Sequence, residues 1–354
     1  MIVTVTLNAA LDVSYEADGL SWQSTRDVAR VRHRAGGRGV AVARVLHTFG
    51  HEVLAAGLAG GATGELIRED LGRSGIPVAF TGIGRESRRV LEITDTASGR
   101  TMRLREPGPY VTTEELGRFA ADYRRMLADA TAVVLCGTLP MGLPPEIYGS
   151  LATYAAEAGV PVILNAGGSS LRYAASRRPD LVVPDDADDV SSRPDGPQAG
   201  RAHGAHGAHG AGDPDGGQAA DGGQAADGGQ AADGGEAADG GEAADGGEAP
   251  AIGAALLRLG ASAVAVPSGR RVRVVTKSGR WNAWLAGPAG PDGATAGSLG
   301  ALVAGLVPGL LLGWSWPDLL QHAVAVAAAA DPSGDVNLAV YERLVDGVTV
   351  ETVG

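Results

Sequence analysis

Gly297-Ser298-Leu299-Gly300 stands directly before the apolar run Ala301-Leu302-Val303-Ala304-Gly305-Leu306. A glycine-rich turn opening an apolar helix leaves backbone N–H groups without helical partners, and the helix dipole favours negative charge there. Such a turn can hold a phosphate. Ser298 is its only polar side chain, so the turn carries no acid or base. A phosphate cradle without a proton acceptor describes either a weakened enzyme or a former one.

Further candidates lie where strands are predicted to end. Thr6-Leu7-Asn8-Ala9-Ala10-Leu11-Asp12 closes the first strand with a carboxylate, and Gly36-Gly37-Arg38-Gly39 then opens a helix. Glycines admit close backbone approach to a ligand, and an arginine grips phosphate bidentately. Leu135-Cys136-Gly137-Thr138-Leu139-Pro140 and Val183-Pro184-Asp185-Asp186-Ala187-Asp188 end two more strands. Open α/β sheets bind ligands at these carboxyl ends. Each residue also has a plainer reading. The glycines could only form a turn, Asp12 could cap one, and Arg38 and Arg88 could be solvated surface charges. Asp185 and Asp188, beside Asp186 and Asp189, could be an acidic face. Cys136 reads as a small buried residue, and His33, His47, His51 and His322 have no ligand spacing.

Periodicity places the elements that must hold these residues. Strands are predicted at 2–8, 53–58, 132–136, 160–164, 180–183 and 263–266, with a hairpin from 90–94 and 101–104 turning at 97–99. Helices are predicted over 36–49, 65–74, 113–127, 145–159 and 251–259. This alternation predicts a parallel sheet covered by helices on both faces.

Residues 191–250 break the pattern. Ala-His-Gly triplets fill 202–210, and six copies of an Asp-Gly-Gly-Gln/Glu-Ala-Ala/Pro unit run from Asp215 to Pro250. With nothing apolar larger than alanine, the segment is expected to be disordered. His203, His206 and His209 are weak metal candidates beside the plainer reading of repeat expansion. The chain's net charge is −12, of which this segment holds −9, eleven acids against two arginines. The nearly neutral remainder argues against nucleic acid as a partner. The single cysteine excludes an intrachain disulfide. The N-terminal residues lack a signal-peptide pattern, and the longest apolar run, 301–314, is interrupted by Gly305, Pro308, Gly309 and Gly313. It falls short of the roughly 20 residues a membrane span needs. A cytoplasmic protein without membrane partners is expected.

Taken in order, Leu7-Asn8…Asp12, Gly36-Gly37-Arg38-Gly39…Val42-Ala43-Arg44, Glu106-Pro107-Gly108-Pro109, Gly137-Thr138-Leu139-Pro140 and Ala304-Gly305 carry a resemblance. The chain resembles the ribokinase-like sugar kinases of the phosphofructokinase-B family, especially the 1-phosphofructokinase and tagatose-6-phosphate kinase branch. The resemblance implies a single α/β domain with a three-layer α/β/α core. A small β-sheet lid would come from about 12–34 and 77–105, with 191–250 as an insertion. It implies transfer of the ATP γ-phosphoryl group to a sugar-phosphate hydroxyl, with ATP and Mg2+ as cofactors, and a homodimer through the lid. Asp12, Gly36, Gly37 and Arg38 then fall on the sugar site, and Arg88 on an arginine facing the substrate phosphate. Asp185 and Asp188 fall on the magnesium-organising motif. Ser268, Gly269, Gly297, Ser298 and Leu299 fall on nucleotide and phosphate positions.

The chain also departs from that pattern. The aspartate that takes the hydroxyl proton falls on Gly300, with Asp292 as a substitute only if the following helix shifts by eight positions. Ala41 stands for a sugar-site asparagine, Asn165 for an aspartate and Val183 for a lysine. Pro308 lies inside the helix that the anion hole should anchor. Two readings stay open: an impaired ketohexose-phosphate kinase, and a silent sugar-phosphate-binding or regulatory pseudokinase. A third gives the working role to the acidic segment.

Overall fold

The computed structural model describes residues 1–185, 248–269, 271–285, 299–331 and 334–353. In chain order the first half runs β1 (Ile2–Thr6), β2 (Ala10–Ala17), β3 (Arg30–Gly36), α1 (Arg38–Thr48), β4 (Val53–Gly60), α2 (Gly61–Arg73), β5 (Val78–Ile83), β6 (Arg88–Asp95) and β7 (Thr101–Arg105). Then come α3 (Thr113–Met126), β8 (Ala132–Cys136), α4 (Ile147–Glu157), β9 (Val162–Ala166), α5 (Gly168–Ala175) and β10 (Leu181–Pro184). The last part holds α6 (Glu248–Leu259), β11 (Ala263–Ser268), β12 (Arg271–Thr276), β13 (Arg280–Leu285), α7 (Leu299–Leu312), α8 (Trp316–Ala328), α9 (Leu338–Leu344) and β14 (Val348–Val353).

Ten strands form one sheet in the order β14-β13-β12-β11-β10-β9-β8-β1-β4-β5. From β11 to β5 every pairing is parallel. The central strands β1, β8 and β9 are buried along their whole length, as a sheet covered on both faces requires. Alternate residues feed two cores. Ala132, Val134, Ile163, Leu181 and Val183 join side chains of α1, α2, α7 and α8 on one face. Val3, Val5, Val133, Leu135, Leu164 and Val182 join α3, α4, α5 and α6 on the other. This is the three-layer α/β/α arrangement that the resemblance implies.

Local signals agree with these elements. Thr112 caps α3 by accepting from the Glu115 amide at 3.2 Å, and the Glu115 carboxylate accepts from the Thr112 amide at 2.8 Å. This reciprocal pair satisfies two otherwise unpaired donors. Ser315 caps α8, with a proline in its first turn. Pro308 lies inside α7, which runs on to Leu312.

A second sheet of four strands, ordered β3-β2-β6-β7, stands apart from the first. It comes from 10–36 and 88–105. The stretch 77–105 is therefore divided: Val78–Ile83 pairs with β4 as an edge of the large sheet, and only the rest joins the small one. The first strand also ends earlier than the sequence suggests. β1 stops at Thr6, where its pairing with Gly57 and Cys136 ends, and the chain turns into β2. Asp12 is thus a residue of the small sheet rather than the terminus of a core strand. Nor is the large sheet wholly parallel, because β12, β13 and β14 add antiparallel at one edge. The expected segment 191–250 lies outside the described residues except for 248–250, which open α6. Among the described residues, no helix is long and apolar enough to cross a membrane.

Helices α7 and α8 pack closely at Gly305, where a Cβ would sit 2.7 Å from the Ala323 Cα. Gly305→Ala is expected to destabilise the fold by about 1–3 kcal/mol through overpacking. Gly117, exposed in mid-α3, has open space around it, so Gly117→Ala should stabilise by about 0.5–1 kcal/mol. Urea unfolding of both variants checks this pair of opposite signs.

Candidate active site

The two sheets meet where β1 gives way to β2 and where α1 begins. Gly37, the N-cap of α1, has φ 109°, a conformation open to glycine. A Cβ there would lie 2.8 Å from the Thr6 methyl; one at Gly39 would overlap the Thr6 hydroxyl, and one at Gly36 the Asp12 carboxylate. The glycines thus bring the start of α1 onto the end of β1 and leave the Asp12 carboxyl room. Asp70 of α2 fixes the base of the small sheet by accepting from the Ala35 amide at 2.8 Å while pairing with Arg44. After β8, the Tyr148 hydroxyl donates to the carbonyls of Cys136 and Gly137 at 2.8 and 3.1 Å. These bonds shape the loop that carries Thr138.

Between the sheets lies a cavity of about 350 Å³. The carboxyl ends of β1, β8 and β10 and the start of α1 form its floor, with Thr6, Asn8, Arg38, Gly137, Thr138 and Asp185. One face of the small sheet forms its roof, with Asp12, Arg34, Arg88, Glu92, Arg103 and Arg105. Thr6 and Asn8 are only 3% and 8% exposed, yet the Thr6 hydroxyl and the Asn8 carbonyl oxygen have no hydrogen-bond partner. Buried polar atoms are rarely left unpaired, so these two are an unsatisfied feature of the cavity floor. The Asn8 amide nitrogen donates to the Thr138 hydroxyl at 3.2 Å, which aims its oxygen.

The electrostatics are unequal. Arg38 pairs with Asp185 across the floor, Arg103 with Glu92 at 2.5 Å, and Arg34 with Asp335. Burial pushes the Asp12 carboxyl from 3.8 up to about 6; Arg88, Arg34 and Arg103 partly oppose this, while Glu92 adds to it. Burial likewise lowers the Arg88 pKa, and Asp12 partly restores it. Cys136 is fully buried, and burial pushes its thiol up to about 12, which leaves it inert.

Asp12, Gly37, Arg38, Arg88 and Asp185 therefore come together at one cavity, with Gly36 packed beneath Asp12. Ser268 and Gly269 stand apart from its lining, at the hairpin tip where β11 turns into β12. They occupy the same carboxyl-end edge of the sheet. Leu299 and Gly300 open α7, and Gly300 is buried; neither lines the cavity. Asp188, Asp292, Gly297 and Ser298 lie outside the described residues, as do His203, His206 and His209. The sequence reading missed Arg34, Glu92, Arg103 and Arg105. Their signal was present as alternation: arginines at 30, 32 and 34 in β3, and at 103 and 105 in β7. Period two puts each set on one face of a strand.

Among the described residues, no group of three or more His, Cys, Asp or Glu could hold a metal ion. Asp185 is bound by Arg38 rather than free. The described residues do not fit a resident divalent cation.

The raised Asp12 pKa has a signed consequence. The neutral carboxyl is favoured in the folded state, so its charging costs nothing below pH 3.8 and a growing amount up to about 6. Asp12→Asn should therefore stabilise the protein above pH 6 by up to about 3 kcal/mol, with the gain vanishing below about pH 4. Urea unfolding of both proteins across pH 4–7 measures that difference.

Residues 4–206 match the family described as pfkB family carbohydrate kinase. Tagatose-6-phosphate kinase of Staphylococcus epidermidis is 32% identical over 186 residues, 52% of this chain and 59% of that protein, so the match spans less than two thirds of the relative's length. A possible 1-phosphofructokinase from Thermotoga maritima superposes with a TM-score of 0.76 at 22% identity over 100% of both chains. Phosphofructokinase-2 from Escherichia coli, in complex with fructose-6-phosphate, gives 0.70 at 18% identity over 98% of each. Identities this low speak for the fold alone. With more than half of its length matching the family's pattern and its two-sheet fold shared across the full length of solved relatives, this chain belongs to the pfkB family of carbohydrate kinases.

Proposed function

We propose that the protein is an ATP-dependent ketohexose-phosphate kinase whose chemistry is weakened at the proton-accepting step. The observation that carries this reading is the cavity between the sheets, lined by Asp12, Arg38 and Arg88 and by the polar residues Thr6 and Asn8. In this reading Asp12 holds a sugar hydroxyl, and Arg88 meets the substrate phosphate. Arg38 faces the phosphoryl group in transfer. ATP enters with its Mg2+ along the rim that carries Ser268 and Gly269, and backbone amides of Gly297, Ser298 and Leu299 stabilise the transferring group. Asp185 and Asp188 approach that metal only if Arg38 releases Asp185. The bond from the γ-phosphorus to ADP breaks as the sugar oxygen bonds to that phosphorus, and the hydroxyl proton passes to water. Gly300 has no side chain to accept it.

Losing a general base costs about 10²–10⁴-fold, while positioning and charge stabilisation persist. The alternative is a silent pseudokinase that binds a sugar phosphate. Gly300 together with the Arg38–Asp185 pair favours it. A cytoplasmic location goes with either reading. The roof face turned away from the cavity exposes Val31, Met102 and Leu104. This supports a homo-oligomer joined through the lid; a structure of Escherichia coli phosphofructokinase-2 is described as a tetrameric inhibited form.

ADP release over a panel of phosphorylated ketohexoses with Mg2+ and ATP separates the two. The kinase reading expects slow turnover that falls as pH drops through about 6, where Asp12 protonates. It also expects Gly300→Asp to raise the rate by about 10²-fold or more. Background ADP release, heat stabilisation by the same sugar phosphate and no rescue by Gly300→Asp would establish the silent protein instead.

A further inference from the structure

A second cavity, of about 390 Å³, opens at the amino ends of the strands, opposite the candidate active site. Asp180 and Ser262 line it just before β10 and β11, and Lys277 lines it from the turn between β12 and β13. Leu310 and Leu311 come from the last turn of α7, and Trp316 from the start of α8. These walls are tied together. The Trp316 ring stacks on that of Trp281, with centroids 5.7 Å apart. Gly279 lets the turn close on this pair, since a Cβ there would lie 2.8 Å from the Trp281 ring. The Thr276 hydroxyl accepts from the amides of Ser278 and Gly279, both at 3.1 Å, which fixes the turn that carries Lys277. The Asp180 carboxylate accepts from the Val162 amide at 2.8 Å and so is anchored between β9 and β10.

The lining is amphipathic and carries one charge of each sign. Lys277, the only lysine in the chain, is exposed, and Asp180 is half-buried. Neither has an ion pair among the described residues. Two opposite charges therefore line one space without answering each other. Leu310, Leu311 and Trp316 are only partly buried, so apolar surface remains uncovered beside them. Small-molecule sites combine such an apolar wall with a few placed polar groups, in volumes of roughly 300–1,000 Å³. A plain anion is repelled by Asp180 and a plain cation by Lys277. A molecule that carries both charges meets two opposite ones, through charge-assisted hydrogen bonds. An apolar side chain on the same molecule gains by leaving water for the leucines and the indole.

We propose that this cavity binds a small zwitterion with an apolar side chain, of the aromatic or branched α-amino acid class. The ligand's carboxylate meets Lys277, its ammonium group meets Asp180, and its side chain lies against Trp316, Leu310 and Leu311. Ser262 offers a further hydroxyl. The site shares no lining residue with the cavity between the sheets. It stands whether or not the chain transfers a phosphoryl group.

Calorimetric titration of the full chain with L-phenylalanine, L-leucine, glycine, 3-phenylpropionate and phenethylamine tests this. The first two should bind, and glycine, which lacks the apolar part, should bind about tenfold more weakly or worse. Lys277→Ala should weaken L-phenylalanine about tenfold or more and leave phenethylamine unchanged. Lys277 is exposed, so its removal leaves the core intact. Asp180→Asn, which keeps an acceptor for the Val162 amide, should weaken L-phenylalanine to a similar degree and leave 3-phenylpropionate unchanged. Because the chain has one lysine, lysine-selective isotope labelling gives a single side-chain NMR signal. That signal should shift as L-phenylalanine is added. No saturable binding of either amino acid up to about 10 mM overturns the proposal. Equal affinity in the parent chain and both variants does so too, as does a lysine signal that stays still at saturation. Binding of 3-phenylpropionate as tight as that of L-phenylalanine overturns the zwitterion.

Discussion

The contact of α1's first turn with the end of β1 governs this structure. Thr6 is the last residue of its strand, and Gly37 and Gly39 lie so close to its side chain that no Cβ fits there without movement. This approach makes the chain leave the large sheet at Leu7, cross into β2 and return through β3 to the head of α1. It therefore sets the position of the small sheet, of Asp12 within it and of Arg38 beside it. A helix start held this near a strand end also keeps its free amides at the cavity floor, where the backbone can meet an anion.

Charge around the cavity follows from that geometry. The roof strands pair antiparallel and parallel in one register, so their period-two arginines converge on the cavity while Val13, Tyr15 and Leu91 turn to the other face. Burial raises the Asp12 pKa even though three arginines oppose it, so desolvation outweighs Coulomb attraction at this site. The floor has the opposite character. Arg38 and Asp185 neutralise each other there. The cavity thus offers positive charge mainly from above, suited to an anionic end of a ligand, and polar but neutral groups from below.

Pro308 and Gly309 show how a helix tolerates residues that should break it. Proline forgoes one backbone bond, at about 3 kcal/mol in an isolated helix interior. In α7 the residues from Gly300 through Gly309 are all buried against the sheet and neighbouring helices. Gly309 leaves space that Trp314 and Leu319 fill closely. Tertiary packing overrides local propensity here.

Local chemistry was enough to determine much of this protein. Apolar runs of about five residues, the Thr112–Glu115 cap and the glycines at 36–39 specified strands, a helix start and a turn, because each depends on neighbours in sequence. Period two in β3 and β7 also contained the arginine faces of the roof. Only the tertiary structure decided that β1 stops at Thr6, since strand length there is set by where β4 and β8 stop pairing. It likewise decided that Val78–Ile83 joins the large sheet, that β12 to β14 run antiparallel, and that Arg38 spends its charge on Asp185. β1 finds its partners at Gly57 and Cys136, and Arg38 finds its partner at Asp185, too far along the chain for a local pattern to encode.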